Sequence, residues 1–233
     1  MKRSFNPAEL ELMDRPQPVS QELERDLHNL RQLNRFFGSY HLVQRFLRRW
    51  IEPGDRIRIL DLATGSGDIP KRAVDYARSI QARVQIDAID QQSSTLQIAE
   101  QLSRDYPEIN FHEGNILEWQ PNEPYDIVLC SLALHHFSEE DAVRLLKHSR
   151  ELSRKFVLVA DLRRGFLATV GVYLLTALIF REPMTRHDGR VSAARAFSFA
   201  ELRSLAQRAG WRNFGHAKFK FARQAVWLEG AGH

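Results

Sequence analysis

The chain has 233 residues, of which 43% are hydrophobic and 27% charged, so its composition is that of a globular protein and excludes a disordered one. Its formal net charge of +4 is too mildly basic to indicate nucleic-acid binding without a further motif. The single cysteine, Cys130, excludes an intramolecular disulfide bond and favours a reducing compartment.

The N-terminal segment lacks the apolar core of a signal peptide, and no apolar run reaches the ~18 residues that a membrane span needs. We therefore expect a cytoplasmic protein. Residues 1 to about 19 are rich in proline and charge, which predicts an irregular leader. Apolar residues then recur at helical spacing on both sides of Gly38, so residues 1–52 are predicted to form a leader and a helical cap.

Strand and helix patterns alternate between Arg56 and Ala160. The predicted strands cover residues 56–62, 84–89, 109–112, 125–131 and 156–160, and the predicted helices cover residues 69–80, 94–106 and 139–152. This alternation implies a parallel sheet with helices on both of its faces.

The pattern changes after Asp161. Residues 165–180 carry no charge and predict one helix that is buried or touches lipid. A basic loop over residues 181–197 and a capped helix within residues 197–211 are predicted next. Two β-like runs, 213–221 and 224–228, are close enough to pair as a hairpin.

A glycine-containing turn, Asp61-Leu62-Ala63-Thr64-Gly65-Ser66-Gly67, follows the first predicted strand. Open α/β sheets bind ligands at this edge, and the glycines allow close approach of the backbone. A dinucleotide fingerprint fails at Pro70, and the lysine of a phosphate-binding loop is absent. Asp61 would repel a pyrophosphate but suits a cation, and S-adenosylmethionine carries an ammonium and a sulfonium without a phosphate.

The turn resembles motif I of class I S-adenosylmethionine-dependent methyltransferases, usually Asp/Glu-x-Gly-x-Gly-x-Gly, with Ala63 in place of the first glycine. The resemblance covers roughly residues 56–229. It implies a doubly wound, mostly parallel seven-stranded sheet, Rossmann-like, with a reversed last strand, N-terminal helices and a helical insert after the fifth strand, about residues 163–197. That insert, with its uncharged stretch at residues 165–180, resembles the lid of bacterial small-molecule methyltransferases, which implies methylation of oxygen or carbon on a hydrophobic or aromatic small molecule.

The resemblance also implies roles for individual residues. Asp90 would bind both ribose hydroxyls, Asn115 the adenine amino group, Ile116 the adenine ring, and Ser131 with Leu132 the methionine part. The full set of implied cofactor contacts is Asp61, Ala63, Thr64, Gly65, Ser66, Gly67, Asp90, Gln91, Asn115, Ile116, Ser131 and Leu132. Taken alone, Asp90 is equally a strand-end cap and Asn115 a turn residue, but four signals in order at successive strand ends favour a cofactor site.

Two histidines are candidate catalytic residues, because a phenol or carbon acid must lose a proton when it is methylated. His136, with His135 beside it, follows the fourth strand, where the alternative is that one of them caps the next helix. His187 precedes Asp188, which can orient its imidazole, or the two form a polar turn. The nine histidines lack metal-ligand spacing, so no metal site is predicted.

Three classes of function remain open from the sequence. A small-molecule methyltransferase is favoured, because an RNA or protein methyltransferase predicts a basic, aromatic groove that is not evident. A non-catalytic S-adenosylmethionine-binding protein is the third. Peripheral membrane contact is a further expectation, carried by the arginines after the uncharged stretch, which are Arg181, Arg186, Arg190 and Arg195.

Overall fold

A seven-stranded sheet forms the centre of the molecule. The computed structural model describes residues 2–7, 9, 11–165 and 183–230. The strands are β1 (Arg56–Leu62), β2 (Arg83–Asp90), β3 (Ile109–Glu113), β4 (Tyr125–Ser131), β5 (Ser153–Leu162), β6 (Gly215–Phe219) and β7 (Arg223–Glu229). Their order is β3-β2-β1-β4-β5-β7-β6, with β1 to β5 parallel and β7 antiparallel to both of its neighbours. The predicted fold class and its reversed last strand are confirmed.

Helices flank the sheet and the leader. They are α1 (Gln21–Phe36), α2 (Ser39–Trp50), α3 (Asp68–Ser79), α4 (Ser93–Leu102), α5 (Glu139–Glu151), α6 (Pro183–Arg195) and α7 (Phe199–Arg208), with 3₁₀ turns at Leu12–Asp14 and Leu134–His136. The α7 helix begins as its sequence predicts, because Ser198 and Glu201 form a reciprocal capping box. None of the described helices is long and apolar enough to cross a membrane.

One sequence prediction is wrong at α6. Residues 183–195 were expected to belong to a basic loop, but they form a helix. The prediction fails because the buried side chains of α6 include polar ones, such as Thr185, Asp188 and Ser192, so no apolar stripe marks the helix. Side-chain hydrogen bonds attach it to the N-terminal segment instead, as when the Thr185 hydroxyl donates to Asp26 (2.6 Å). The uncharged stretch predicted as a helix lies, at residues 166–180, outside the described residues.

The sheet is buried on both faces. Alternate residues of the central strands, such as Leu62 and Val128, pack with α5 and α7 on one face. Their neighbours, such as Ile59 and Leu129, pack with α2 and α3 on the other. Because helices cover both faces of the sheet, both sides of these strands are apolar, and their sequences are continuous apolar runs. The α2 helix thus belongs to the layer against the sheet, whereas α1 packs through Leu27 against the 3₁₀ turn at Leu12–Asp14 and α4.

The sheet order also places the functional edge. Connections from β1 lead outward to β2 and β3, while β4 lies on the opposite side of β1 and leads to β5. The order therefore reverses between β1 and β4, and ligands of open α/β sheets bind outside the carboxyl ends at such a point.

Candidate functional site

A cavity of about 800 Å³ opens at this edge of the sheet. It lies in the upper part of the range of ~300–1,000 Å³ that is usual for ligand pockets. One side, the strand-end wall, consists of Asp61, Ala63, Thr64, Gly65, Ser66, Asp90, Gln91, Ile116, Ser131 and Leu132. The other, the leader wall, consists of Glu11, Met13, Asp14, Leu27, Leu30, Leu33, Phe37, Ser192 and Ala193, and His135 and His136 also line the cavity.

The turn after β1 forms the centre of the strand-end wall. Ala63, Gly65 and Gly67 all adopt left-handed backbone conformations, with φ of 57°, 55° and 69°. A Cβ atom added to Gly65 would meet nothing within 4 Å, so this backbone faces open space. A Cβ atom at Gly67 would lie 2.9 Å from the ring of Phe111. Gly67 is therefore required by packing against β3, and it does not line the cavity.

Asp90 joins the ends of β1 and β2. One carboxylate oxygen accepts the backbone N–H of Gly65 (2.8 Å), and the other accepts that of Gln92 (3.0 Å). The carboxylate is 9% exposed, and burial raises its pKa despite these bonds. A carboxylate has about four acceptor positions, so the backbone donors leave room for a hydroxyl donor of a ligand.

Asp61 supplies a second carboxylate at the end of β1. It is 2% exposed, and burial, with a smaller contribution from the charges of Asp68 and Asp90, raises its pKa to about 7. A cation bound beside it would favour the ionised form again. The site is thus suited to a positively charged ligand that approaches along the open backbone at Gly65, which is the arrangement that S-adenosylmethionine requires.

The remaining predicted contacts fall into two groups. Ile116, Ser131 and Leu132 line the cavity, and Leu132 has a left-handed backbone with φ of 57°, held by its N–H donating to Ala160 (2.8 Å). Asn115 is exposed and lies outside the cavity. Its amide oxygen accepts the N–H of Leu117 (3.0 Å), which is a turn contact. The adenine-binding role of Asn115 stays a prediction.

His136 lies in the cavity between two carboxylates. Its Nδ1 is 2.7 Å from an oxygen of Asp14, and its Nε2 is 3.9 Å from an oxygen of Glu11. Burial lowers the pKa of His136, but the Glu11 charge and the hydrogen bond and charge of Asp14 outweigh it and raise the pKa to about 10. In this arrangement His136 is a cation at neutral pH, which does not favour proton acceptance.

His135 is turned toward the protein interior and is 2% exposed. Its Nδ1 is 2.6 Å from Asp161 at the end of β5, and its Nε2 is 3.8 Å from the same Glu11 oxygen. Sequence reasoning missed Glu11 and Asp14, because no spacing signal relates them to histidines more than a hundred residues away.

His187 forms the contact with Asp188 that the sequence predicts, at 2.8 Å, but neither residue lines the cavity. The Asp188 carboxylate accepts the backbone N–H groups of Leu12 (2.7 Å) and Met13 (3.0 Å). The pair therefore anchors the leader to α6. Its catalytic role remains a prediction without support from the cavity.

Of the arginines expected at a membrane surface, Arg195 is buried (3% exposed) and donates to the carbonyls of Asn6 and Glu9. It is therefore part of the leader contact. Arg181 lies outside the described residues.

The fold is the one found in class I S-adenosylmethionine-dependent methyltransferases, and the cavity lies at the sheet edge where open α/β folds bind ligands. Residues 59–155 match the family model described as a methyltransferase domain. No curated protein matches the chain.

Solved structures extend the similarity over most of the chain. The plantazolicin methyltransferase BpumL, in complex with S-adenosylhomocysteine and a pentazolic desmethylPZN analogue, has a TM-score of 0.66 at 12% identity, covering 91% of each chain. The magnesium protoporphyrin IX methyltransferase ChlM of Synechocystis PCC 6803, with bound S-adenosylhomocysteine, has a TM-score of 0.57 at 16% identity, covering 92% of this chain and 90% of its own. An O-methyltransferase family 2 protein of Planctomyces limnophilus, in complex with apigenin, has a TM-score of 0.61 at 16% identity, covering 91% and 62%.

Because the identities are only 12–16%, these similarities show a shared fold and nothing more specific. The chain spans 66%, 56% and 58% of the lengths of three further matched structures.

Proposed function

We propose that this protein transfers a methyl group from S-adenosylmethionine to an oxygen or carbon of a hydrophobic or aromatic small molecule. The observation that carries the proposal is that the two walls of one cavity differ in chemistry. The strand-end wall presents carboxylates and open backbone, while the leader wall presents Leu27, Leu30 and Leu33 from α1 and Phe37, which directly follows α1. Apolar walls with a few placed polar groups are typical of small-molecule sites.

The strand-end wall would hold the donor by contacts that match its chemistry. S-adenosylmethionine, when bound, supplies an electrophilic methyl group on a sulfonium. Asp61 would pair with the ammonium group, Asp90 would accept the ribose hydroxyls, and Ile116 would pack on the adenine. The backbone at Gly65 leaves the space that these contacts need.

The leader wall would hold the acceptor against this donor. Apolar side chains of α1 remove water from one face of the acceptor, and alignment of two reactants is the main contribution that a protein makes to such a displacement. Phe137 and Phe221 also line the cavity and extend this apolar surface. His136, one of several polar residues that line the described cavity, would contact the acceptor.

The test uses donor labelled in its methyl group and a panel of phenols, naphthoquinols and polyketide-like enols, followed by mass spectrometry of the products. The proposal predicts labelled product with at least one apolar acceptor. It also predicts that Leu30→Glu, which places a charge in the leader wall, removes turnover while calorimetric donor affinity is kept.

Structured RNA and a protein lysate are added to the same assay as competing acceptors. Label in RNA or protein, with none in small molecules, would overturn the acceptor assignment. Donor binding without transfer to any acceptor would favour the non-catalytic alternative.

A further inference from the structure

A cluster that lines the cavity, made of one leader-wall residue and two histidines, has the chemistry of a metal site. Glu11, His135 and His136 each present one ligand atom, and the three atoms lie within 4.8 Å of one another. We infer that these residues bind one divalent transition-metal ion, as two imidazole nitrogens and one carboxylate, in the cavity where the acceptor would lie. This inference rests on the proposed function only for the role of the ion.

The ligand atoms already lie close together. The Glu11 Oε1 atom is 3.8 Å from Nε2 of His135 and 3.9 Å from Nε2 of His136. Zinc bonds of about 2.0–2.2 Å place tetrahedral ligand atoms about 3.4 Å apart. The Glu11 oxygen would therefore have to approach each imidazole nitrogen by about 0.5 Å, and the two imidazole nitrogens, which lie within 4.8 Å of each other, by up to about 1.4 Å.

An unpartnered buried atom points independently to a ligand. Nε2 of His135 is buried in a side chain that is 2% exposed, and it has no hydrogen-bond partner among the described residues. Buried polar atoms without partners are rare, and each one calls for an explanation such as an ion. The nearest polar atom in the cluster is the Glu11 oxygen, which is too distant to be a hydrogen-bond partner.

The surrounding contacts orient the ligands as metal sites require. Nδ1 of His135 pairs with Asp161 (2.6 Å), and Nδ1 of His136 pairs with Asp14 (2.7 Å). Imidazoles that bind metals almost always donate their other N–H group to such a partner, which leaves Nε2 free to coordinate. The hydroxyl of Ser192 donates to the Glu11 Oε1 atom (2.6 Å) and fixes the third ligand.

Charge also favours a cation at this position. The carboxylates Glu11, Asp14 and Asp161 surround two imidazoles, so the five side chains carry a formal charge of −2 when His136 is protonated. A divalent ion that displaces this proton brings the charge to −1, in a place where Glu11 and Asp161 are 3% and 1% exposed. Buried charges persist where they are paired or coordinate metals.

Three protein ligands leave coordination positions open toward the cavity, as in catalytic metal sites. An acceptor hydroxyl bound there would release its proton to water. Its oxygen electron pair would form the new bond to the methyl carbon, and the electrons of the broken carbon–sulfur bond would remain on sulfur. The acceptor class is thus narrowed to phenols or enols with an oxygen that can coordinate.

The test titrates chelator-treated protein with Co²⁺ and Zn²⁺, using calorimetry and the visible spectrum of bound Co²⁺. We expect one equivalent of metal ion to bind per protein chain. Glu11→Gln and His135→Gln should abolish the Co²⁺ spectrum, and Asp161→Asn should weaken binding about 10- to 100-fold. His112→Gln is the matched control, because His112 also pairs with a carboxylate, Asp87, at 3.0 Å but lies outside the cavity.

No binding by the wild-type protein, or equal binding by wild type and Glu11→Gln, would overturn the inference. Thermal unfolding with and without Zn²⁺ shows whether each variant is folded, so loss of the site is separated from loss of the fold. Donor binding and methyl transfer are measured on the same samples. Full methyl transfer by chelator-treated protein that binds no metal would overturn the metal site and keep the proposed function. Metal binding without methyl transfer to any acceptor would keep the metal site and overturn the proposed function.

Discussion

The two walls of the cavity are built in different ways. The strand-end wall comes from residues that follow consecutive strands, and the hydrogen bonds of Asp90 connect β2 to the turn after β1. The leader wall is assembled from Glu11 and Asp14, from α1, and from α6, which lies more than 140 residues further along the chain. The first wall is fixed by the sheet, whereas the second depends on contacts between distant segments.

This difference separates the two ligands that the cavity would hold. A common donor can be recognised by geometry that any sheet of this order provides, since the carboxyl ends of its strands always meet at one edge. An acceptor particular to this protein would be recognised by the wall that the fold leaves free to vary. Mutations in the strand-end wall should therefore change donor affinity, and mutations in the leader wall should change transfer.

The largest effect is expected from Gly65→Val, which places a side chain in the open space of the strand-end wall. Donor binding should become undetectable by calorimetry. The left-handed backbone adds a cost of about 1–2 kcal/mol, so the variant should remain folded. The paired variant Gly67→Ala should show the opposite pattern, with lower thermal stability from its contact with Phe111 but retained donor affinity. Normal donor binding by Gly65→Val would show that this turn does not contact the donor.

Asp90→Ala should have the next largest effect. It removes a carboxylate that would accept ribose hydroxyls and that now holds the N–H groups of Gly65 and Gln92. Hydrogen bonds to charged groups contribute about 1.5–3 kcal/mol each, so donor affinity should fall at least about a hundredfold.

The matched control is Asp87→Ala on the same strand. Asp87 accepts from the Tyr125 hydroxyl (2.9 Å) and lies outside the cavity, so its loss should lower stability and leave donor affinity unchanged. Equal donor affinities of the two variants would contradict the ribose assignment.

The same contrast explains what could be predicted from the sequence. Asp61 and Gly65 could be predicted because a short motif is read directly from neighbouring residues. The sheet could be predicted because alternation of strands and helices has few solutions. Glu11 and α6 could not, because their positions depend on hydrogen bonds between segments far apart, such as Asp188 to Leu12, and these leave no periodic pattern.

A smaller, graded effect is expected from pH through Asp61. Because its pKa is raised to about 7, the carboxyl group must lose a proton to bind a cation at lower pH. Donor affinity should weaken by up to about tenfold for each pH unit below 7. Calorimetry between pH 5.5 and 8 on wild type and Asp61→Asn checks this, and a pH-independent wild-type affinity would contradict it.

The effect of pH on stability through Asp61 has the opposite sign to its effect on donor affinity. The folded, donor-free protein holds a proton on Asp61 up to about pH 7, whereas the unfolded chain releases it near pH 3.8. Stability therefore falls as pH rises from about 4 to 7, and Asp61→Asn should be more stable than wild type at pH 8, by up to about 4 kcal/mol. A gain in stability with a loss of donor affinity would show that this carboxylate is retained for binding.

The smallest effect is expected at His187, and it sharpens the boundary of the leader wall. His187 lies outside the cavity, where surface changes usually alter free energies by less than about 0.5 kcal/mol, so turnover of His187→Ala should stay within about twofold of wild type. His136→Ala, which changes the cavity itself, should lower turnover and keep donor affinity. His187→Ala could instead abolish turnover although Asp188 still accepts the backbone N–H groups of Leu12 and Met13. That result would show that the acceptor extends beyond the described cavity to the far side of α6.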